Sequence, residues 1–333
     1  VYQEVSQIDD LVAALAQLRW PPERLEVKLV CEADDAATMT ACRSAIGRLG
    51  LASFTVIVVP PSRPRTKPRA LSYALPLCTG EYVVVYDAED RPHPLQLREA
   101  HAALRTGSPL LACVQAPLVI HNHQDGWLAQ FMAIEYSVQF DALVPMLAHF
   151  DLPVPLGGTS NHFRRSVLIE VGRWDPYNVT EDVDLGLRLA REGWQVGTIT
   201  SPTYEEAPSS FAVWCKQRTR WFKGWYQTLL VHSRQPVRLM DELGPAGMLA
   251  FILLMPGLAI SCLVHPLLLY HVFVRLAGLV LSGSFGQQSY LFWLDLTTIL
   301  LGYLTLALIA LYTLPLRGLQ TLRGVLWRLP LYW

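Results

Sequence analysis

Several short stretches of this chain carry side chains whose type and spacing could do chemistry. YNVTEDVDLGLRL, residues 177–189, sets Glu181, Asp182 and Asp184 within four positions at the mouth of a helix. Acidic side chains favour a first helical turn on dipole grounds alone, but three are more than a cap needs. CEADD brings Glu32, Asp34 and Asp35, and DAED brings Asp87, Glu89 and Asp90. One acidic loop after a strand is explained by capping of the next helix. DAEDRPHP is harder to explain that way, because three carboxylates in four residues repel unless a cation compensates them. Hard oxygens clustered like this suit Mg²⁺ or Mn²⁺ bridging substrate phosphates, so Asp87, Glu89 and Asp90 are the expected metal ligands.

Basic and aromatic stretches complete the set. PPSRPRTKPRALSYAL carries Arg63, Arg65, Lys67 and Arg69, either as a solvated loop or as cations that help a metal neutralise a diphosphate. The pattern G-x-x-x-x-G-K-[ST] is absent, which excludes an ordinary P-loop ATPase. In PLGGTSNHFRRSVLIEVGRW, Gly157 and Gly158 allow close backbone approach to a ligand. Thr159, Ser160, Asn161 and His162 have groups that could bond sugar hydroxyls, and Trp174 leans towards a core position. WCKQRTRWFKGWYQT interleaves aromatics with Lys216, Arg218, Arg220 and Lys223. That mixture fits a membrane-interface helix and equally a surface that stacks on sugars and pairs with phosphates.

The elements that must position these groups follow from hydrophobic pattern. LEVKLV, FTVIVV and EYVVVY are short apolar runs separated by helical stretches such as DDLVAALAQL and QLREAHAAL, which implies βαβ units and a mostly parallel sheet. Ligands of such sheets bind at the carboxyl ends of the strands, where both acidic loops fall. VYQE reads as the end of a strand-to-loop segment, so the first strand is expected to be missing. Of the 333 residues 52% are hydrophobic and 17% charged, against about 25% charged in a soluble domain, so part of the chain is expected in lipid. No charged side chain lies between Glu242 and Arg275, and only Asp295 interrupts the run over 290–315; both runs are long enough to span a bilayer. The arginines flanking the two runs place the N-terminal region and the tail on the cytoplasmic side. A net charge of −1 offers no basic field for nucleic acid, and the six scattered cysteines suit a reducing compartment.

In order, the acidic post-strand loop, DAED, TED and QRTRW ahead of membrane spans resemble the membrane-bound family 2 glycosyltransferases. These include cellulose, hyaluronan and related β-glycan synthases and are built on the GT-A fold. The similarity covers roughly Leu25 to Trp225, and its motifs are weak singly and strong in this order. It implies an α/β, Rossmann-like catalytic domain over 1–212 and an interfacial segment over 213–242 that holds QxxRW. Transmembrane helices over 246–273 and 290–315 and a second interfacial segment over 316–333 follow, in a multi-pass protein of the cell (inner) membrane. It also implies site roles. Glu32 or Asp34 would contact the nucleobase or ribose, and Lys67, Asp87, Glu89 and Arg220 the nucleotide diphosphate, with Asp87, Glu89 and Asp90 at the metal. Asp182 would be the catalytic base; Gly158, Thr159, Glu181, Gln217 and Trp221 would face the acceptor.

The implied function is inverting, metal-dependent transfer from a nucleotide-sugar, UDP-glucose or UDP-N-acetylglucosamine, to a glycan or lipid acceptor at the bilayer. A phosphate leaving group needs cations rather than an acid, while the attacking hydroxyl still needs one base. Two other readings remain open at this point: a metal-dependent phosphohydrolase or nucleotidyltransferase, and a non-catalytic membrane scaffold or transporter subunit. The first would not need the Trp-rich QRTRW stretch beside the membrane, and the second predicts that Asp182→Asn leaves function untouched.

Overall fold

The computed structural model describes residues 1–282 and 290–332. Its first half runs α1 (Ile8–Ala16), β1 (Val27–Glu32), α2 (Ala36–Leu49), β2 (Phe54–Val59), α3 (Lys67–Ala74), β3 (Tyr82–Val84), β4 (Arg91–Pro92), α4 (Gln96–Thr106), β5 (Leu111–Gln115) and β6 (Leu118–Ile120). There follow α5 (Trp127–Val138), α6 (Val144–His149), β7 (Asn161–Arg164), α7 (Arg165–Glu170), α8 (Glu181–Arg191), β8 (Gln195–Thr198) and β9 (Thr203–Glu205). The remaining long helices are α9 (Phe211–His232), α10 (Pro236–Leu254), α11 (Pro256–Ser282) and α12 (Tyr290–Thr313).

The first βαβ unit forms as its pattern predicts. β1 and β2 pair in parallel, from Val27 opposite Phe54 to Glu32 opposite Val59. Asp35 caps α2, its carboxylate accepting from the Thr38 amide at 3.1 Å. α2 stops where Gly50 turns left-handed at φ 62°, a conformation glycine adopts without steric cost. Leu29 and Cys31 on β1 then bury against Ile8, Leu11 and Val12 of α1 and Cys42 of α2.

The expectation of a mostly parallel sheet holds only in part. The larger sheet has the order β3-β7-β5-β8, and a smaller one the order β4-β9-β6. β7 is antiparallel to both neighbours, β4 is antiparallel to β9, and the β5–β8, β6–β9 and β1–β2 pairs are parallel. β7 enters from the GGTS turn rather than from a crossover helix, so nothing constrains it to the parallel direction. Its polar sequence NHFR also lacks the β-branched run that marks the other strands.

The chain divides into two compact units, Val1–Met248 and Leu249–Trp333. The first unit takes in α9 together with the sheets. The reason is that α9 is fastened to it: Arg218 forms an ion pair with Glu135 of α5, and Asn178 donates to Thr228 at 2.8 Å. In the second unit, Val272 of α11 packs against Phe292 and Ile299 of α12. Asp295, the charge interrupting the second apolar run, accepts from His271 across the two helices. Two segments, Pro236–Gly278 and Tyr290–Arg317, are long and apolar enough to cross a membrane. The first contains a kink where Gly244, at φ 66°, precedes Pro245. Beyond α12 the chain turns through short 3₁₀ segments, with Leu322, Leu326 and Leu329 packed inwards and Arg323, Trp327 and Arg328 exposed.

Candidate active site

Lys67, the first residue of α3, is the hub. Its ammonium lies 2.5 Å from Asp87 Oδ1 in the loop after β3, and it donates to the carbonyl of Gly158 at 2.7 Å. The Gly158 turn in turn faces α8: a Cβ placed on Gly158 would stand 3.4 Å from Asp182 Oδ2. Three stretches far apart in sequence, DAED, GGT and TED, therefore meet around one lysine. Burial works against the Lys67 charge, but Asp87 and then Glu181 outweigh it and hold its pKa above the usual lysine value.

The α8 acids sit in three different environments. Asp182 Oδ1 accepts from the Val183 amide at 2.9 Å. Burial raises its pKa above the ordinary carboxylate value, opposed by that hydrogen bond and by Lys67. Glu181 is raised from 4.5 to about 7, by burial first and then by Asp182. Asp184 is shifted down despite its burial, because it accepts from His232 at 2.9 Å and from Arg188 at 2.8 Å. Asp184 is therefore a fixed packing element, whereas Glu181 and Asp182 lie towards Lys67.

The raised Glu181 pKa has a consequence for stability. The folded protein holds that proton more tightly than the unfolded chain, so its contribution is complete below pH 4.5 and is lost as pH rises through about 7. A divalent cation bound among these carboxylates would offset the loss. Thermal unfolding with and without Mn²⁺ is expected to show a larger upward shift on the alkaline side of that window than on the acid side; equal shifts would count against a cation at this site.

The expected three-carboxylate metal set does not form as such. Asp90 is fully buried: its Oδ2 accepts from the Asp87 amide at 2.6 Å and from the Thr159 hydroxyl, and Oδ1 has no hydrogen-bond partner among the described residues. Burial, then Asp87, pushes its pKa well above the usual value. Among the described residues no three His, Cys, Asp or Glu side chains group as ligands. The side chains left to meet an ion are the part-exposed Asp87 and the exposed Glu89. Two carboxylates with hard oxygens fit a Mg²⁺ or Mn²⁺ site that substrate phosphate oxygens complete. Thr159 is likewise removed from the acceptor contacts, since it is buried and its hydroxyl bonds Val85 O and Asp90.

The other expected residues divide in the same way. Glu32 receives both its short bonds from Arg69, at 2.7 and 2.9 Å, and Asp34 pairs with Arg65. Of the four basic-loop cations, three are thus already held by carboxylates. In QRTRW, Arg218 is held by Glu135 and its guanidinium covers one face of Trp221 at 4.8 Å. Arg220 is exposed, and no ion pair holds it among the described residues. The buried Gln217 Oε1 has no hydrogen-bond partner there. His162 is a core side chain, its pKa lowered to about 3 by burial, and Trp174 packs edge-on to Phe163 as a core aromatic.

One residue at the acidic cluster escaped the sequence reading. The β4–β9 register, with Arg91 opposite Tyr204, carries Glu205 to the level of Asp90. Burial first, then Asp90 and Asp87, raises its pKa well above normal. Nothing in TYE signals this, because the proximity arises from strand pairing.

Comparison with known proteins gives a consistent answer. A family model described as glycosyl transferase family group 2 matches residues 82–319. The Probable glycosyltransferase YdaM of Bacillus subtilis (strain 168) is 27% identical over 225 residues, 67% of this chain and 53% of that protein. The Beta-monoglucosyldiacylglycerol synthase of Synechocystis sp. is 26% identical over 270 residues, 79% of this chain and 55% of that protein. The chain thus spans about half the length of these relatives. Among solved structures, the mannosyltransferase PcManGT of Pyrobaculum calidifontis, in complex with GDP-Man and Mn²⁺, aligns with a TM-score of 0.57 at 19% identity. That alignment covers 98% of this chain and 82% of that one, and it shows a shared fold.

Proposed function

This chain belongs to glycosyl transferase family group 2, and from that premise we propose that it moves a sugar from a nucleotide-sugar to a hydroxyl of a glycan or lipid acceptor, with inversion. The observation that carries this reading is the convergence of Asp87, Gly158 and Asp182 around Lys67. Asp182 takes the proton of the acceptor hydroxyl as its oxygen bonds to the anomeric carbon, while the bond to the nucleoside diphosphate breaks on the opposite face. One displacement of this kind inverts the anomeric centre. Lys67 fixes the distance between Asp87 and the glycine turn, and Arg220 is the exposed cation available to the leaving diphosphate. Asp87 and Glu89 would hold a divalent ion, which supplies charge neutralisation of the diphosphate.

The donor class follows from the acid and cation sets rather than from a base-reading pocket, because Glu32 and Asp34 are both committed to arginines. The donors to compare are therefore UDP-glucose, UDP-N-acetylglucosamine and GDP-mannose, the last being the ligand of PcManGT. The two apolar segments and the arginine bias around them support a catalytic unit held on the cytoplasmic face of a membrane. Only 22% of the most apolar stretch of each segment is buried, where a soluble core helix would be mostly covered. The test is incubation of membranes carrying the full protein with each radiolabelled donor and Mn²⁺ or Mg²⁺. Label in lipid or polymer supports transfer; release of free sugar phosphate without incorporation overturns it in favour of a phosphohydrolase.

A pH profile supplies a second check. The raised Asp182 pKa means the base is lost as pH falls through a value above that of an ordinary carboxylate. The acid limb of kcat is therefore expected to lie to the alkaline side of pH 3.8, with the rate rising towards neutrality. A rate that is flat through the acid range would argue against a buried carboxylate base.

A further inference from the structure

α9 meets α8 along one stripe, whose contacts reach Asn178, Thr180 and Asp184 around Asp182 and Arg191 at the far end of α8. Gly224 is the closest point: a Cβ there would lie 2.3 Å from Thr180 Oγ1 and 2.5 Å from its Cγ2. One turn on, Thr228 Oγ1 accepts from Asn178 Nδ2 at 2.8 Å, and Asn178 Oδ1 accepts from the Thr180 amide at 3.0 Å. A further turn on, Arg191 lies 2.8 Å from His232 Nδ1, and His232 Nε2 lies 2.9 Å from Asp184 Oδ1. Arginine has only donors, so Nδ1 accepts and the Nε2 hydrogen goes to Asp184. Asn178, Thr228, His232 and Asp184 are all nearly fully buried.

Gly224, Thr228 and His232 recur every four residues, so they share a helical face. Trp221 and Gln217 lie on the same stripe, three and seven residues before Gly224. The stripe that carries the expected acceptor contacts is thus the one that bears on the TED turn. A neutral apolar interface would let two helices slide by a fraction of a turn with little penalty. Buried directional bonds resist that, because a slip leaves a donor or acceptor unpaired.

We propose that Thr228 and His232 are positioning residues that key α9 to α8, so that the acceptor-facing residues Gln217 and Trp221 and the base Asp182 keep one fixed register. The inference rests on the reading of Asp182 as base given above. Its distinct content is that the seam controls the transfer step and leaves donor binding alone. The donor-side groups Lys67, Asp87 and Glu89 stand on α3 and the β3–β4 loop, outside the seam, and Arg220, the one such group carried by α9, meets the diphosphate as it leaves, so its displacement also falls on the transfer step.

The test compares Thr228→Val and Thr228→Ser in the full-length membrane protein. Valine keeps the shape of threonine but removes the acceptor for Asn178; serine restores it. With small displacements of reacting groups costing up to about 100-fold, Thr228→Val is expected to lower kcat about 10-fold to 100-fold per donor-binding site. Donor Kd, measured by calorimetry, should stay within about twofold, and Thr228→Ser should recover most of the rate. Counting donor sites keeps misfolded protein out of the comparison. An unchanged kcat in Thr228→Val, a parallel loss of donor affinity, or failure of serine to rescue would each overturn the proposal. Asp182→Asn in the same assay separates the two claims: full turnover there removes the base assignment, whatever Thr228 does.

Discussion

Replacing Asp182 with asparagine is expected to reduce transfer by about 10²-fold to 10⁴-fold, the usual contribution of a positioned general base. Donor affinity should change little. The substitution is close to isosteric, and asparagine Oδ1 can still accept from the Val183 amide that now bonds Asp182 at 2.9 Å. Lys67 keeps its partners Asp87 and Gly158 O, so the diphosphate side of the site is untouched. The split between lost kcat and retained donor Kd is what distinguishes a base from a binding residue. The neighbouring acids sharpen the comparison. Asp184→Asn is expected to act through folding, since its carboxylate is consumed by His232 and Arg188. Single-turnover rates of the two variants at equal donor occupancy would tell them apart, and full turnover in Asp182→Asn would end the assignment.

The largest structural effect is expected at Gly186. A Cβ on this residue would lie 2.1 Å from the backbone carbonyl of Val154 and 3.2 Å from Leu156 Cγ. No rotamer relieves a clash with a carbonyl, so α8 must move away from the strand of chain that leads into the Gly158 turn. Overpacking of this kind costs about 3 kcal/mol or more, while alanine returns about 1 kcal/mol of helix propensity. A net loss of about 2 kcal/mol would lower Tm by about 4–8 °C in a unit of this size. Gly47→Ala is the matched control. That glycine lies within α2, is exposed, and has nothing within 4 Å of an added Cβ, so it should be neutral or stabilising by up to about 1 kcal/mol. Equal Tm values for the two variants would contradict the packing described. Because Gly186 sits one turn beyond Asp182, activity in Gly186→Ala should fall with the loss of register as well as with stability.

The motifs of the candidate site were legible in the sequence because their chemistry is local. DAED, TED and QRTRW announce themselves through charge crowding and through aromatics beside an apolar span, and the structure does bring the first two together with Lys67. The capping of α2 by Asp35 and the end of that helix at Gly50 are equally local. What could not be read was which member of each motif stays accessible and which is sealed or paired. Asp90 and Asp87 differ by three residues, yet one is sealed under Thr159 and the other borders the site. Arg218 and Arg220 differ by two, yet Glu135, far away in sequence, captures only the first.

By itself, then, the sequence determined the kind of chemistry, the order of its parts and the apolar segments, because residue type and short spacing suffice for these. The tertiary structure alone decided the direction of β7, the inward turn of Asp90, the approach of Glu205 and the seam between α8 and α9. Each depends on strand register or helix contact between segments tens of residues apart, and burial there sets which carboxylate keeps its proton and which cation stays free.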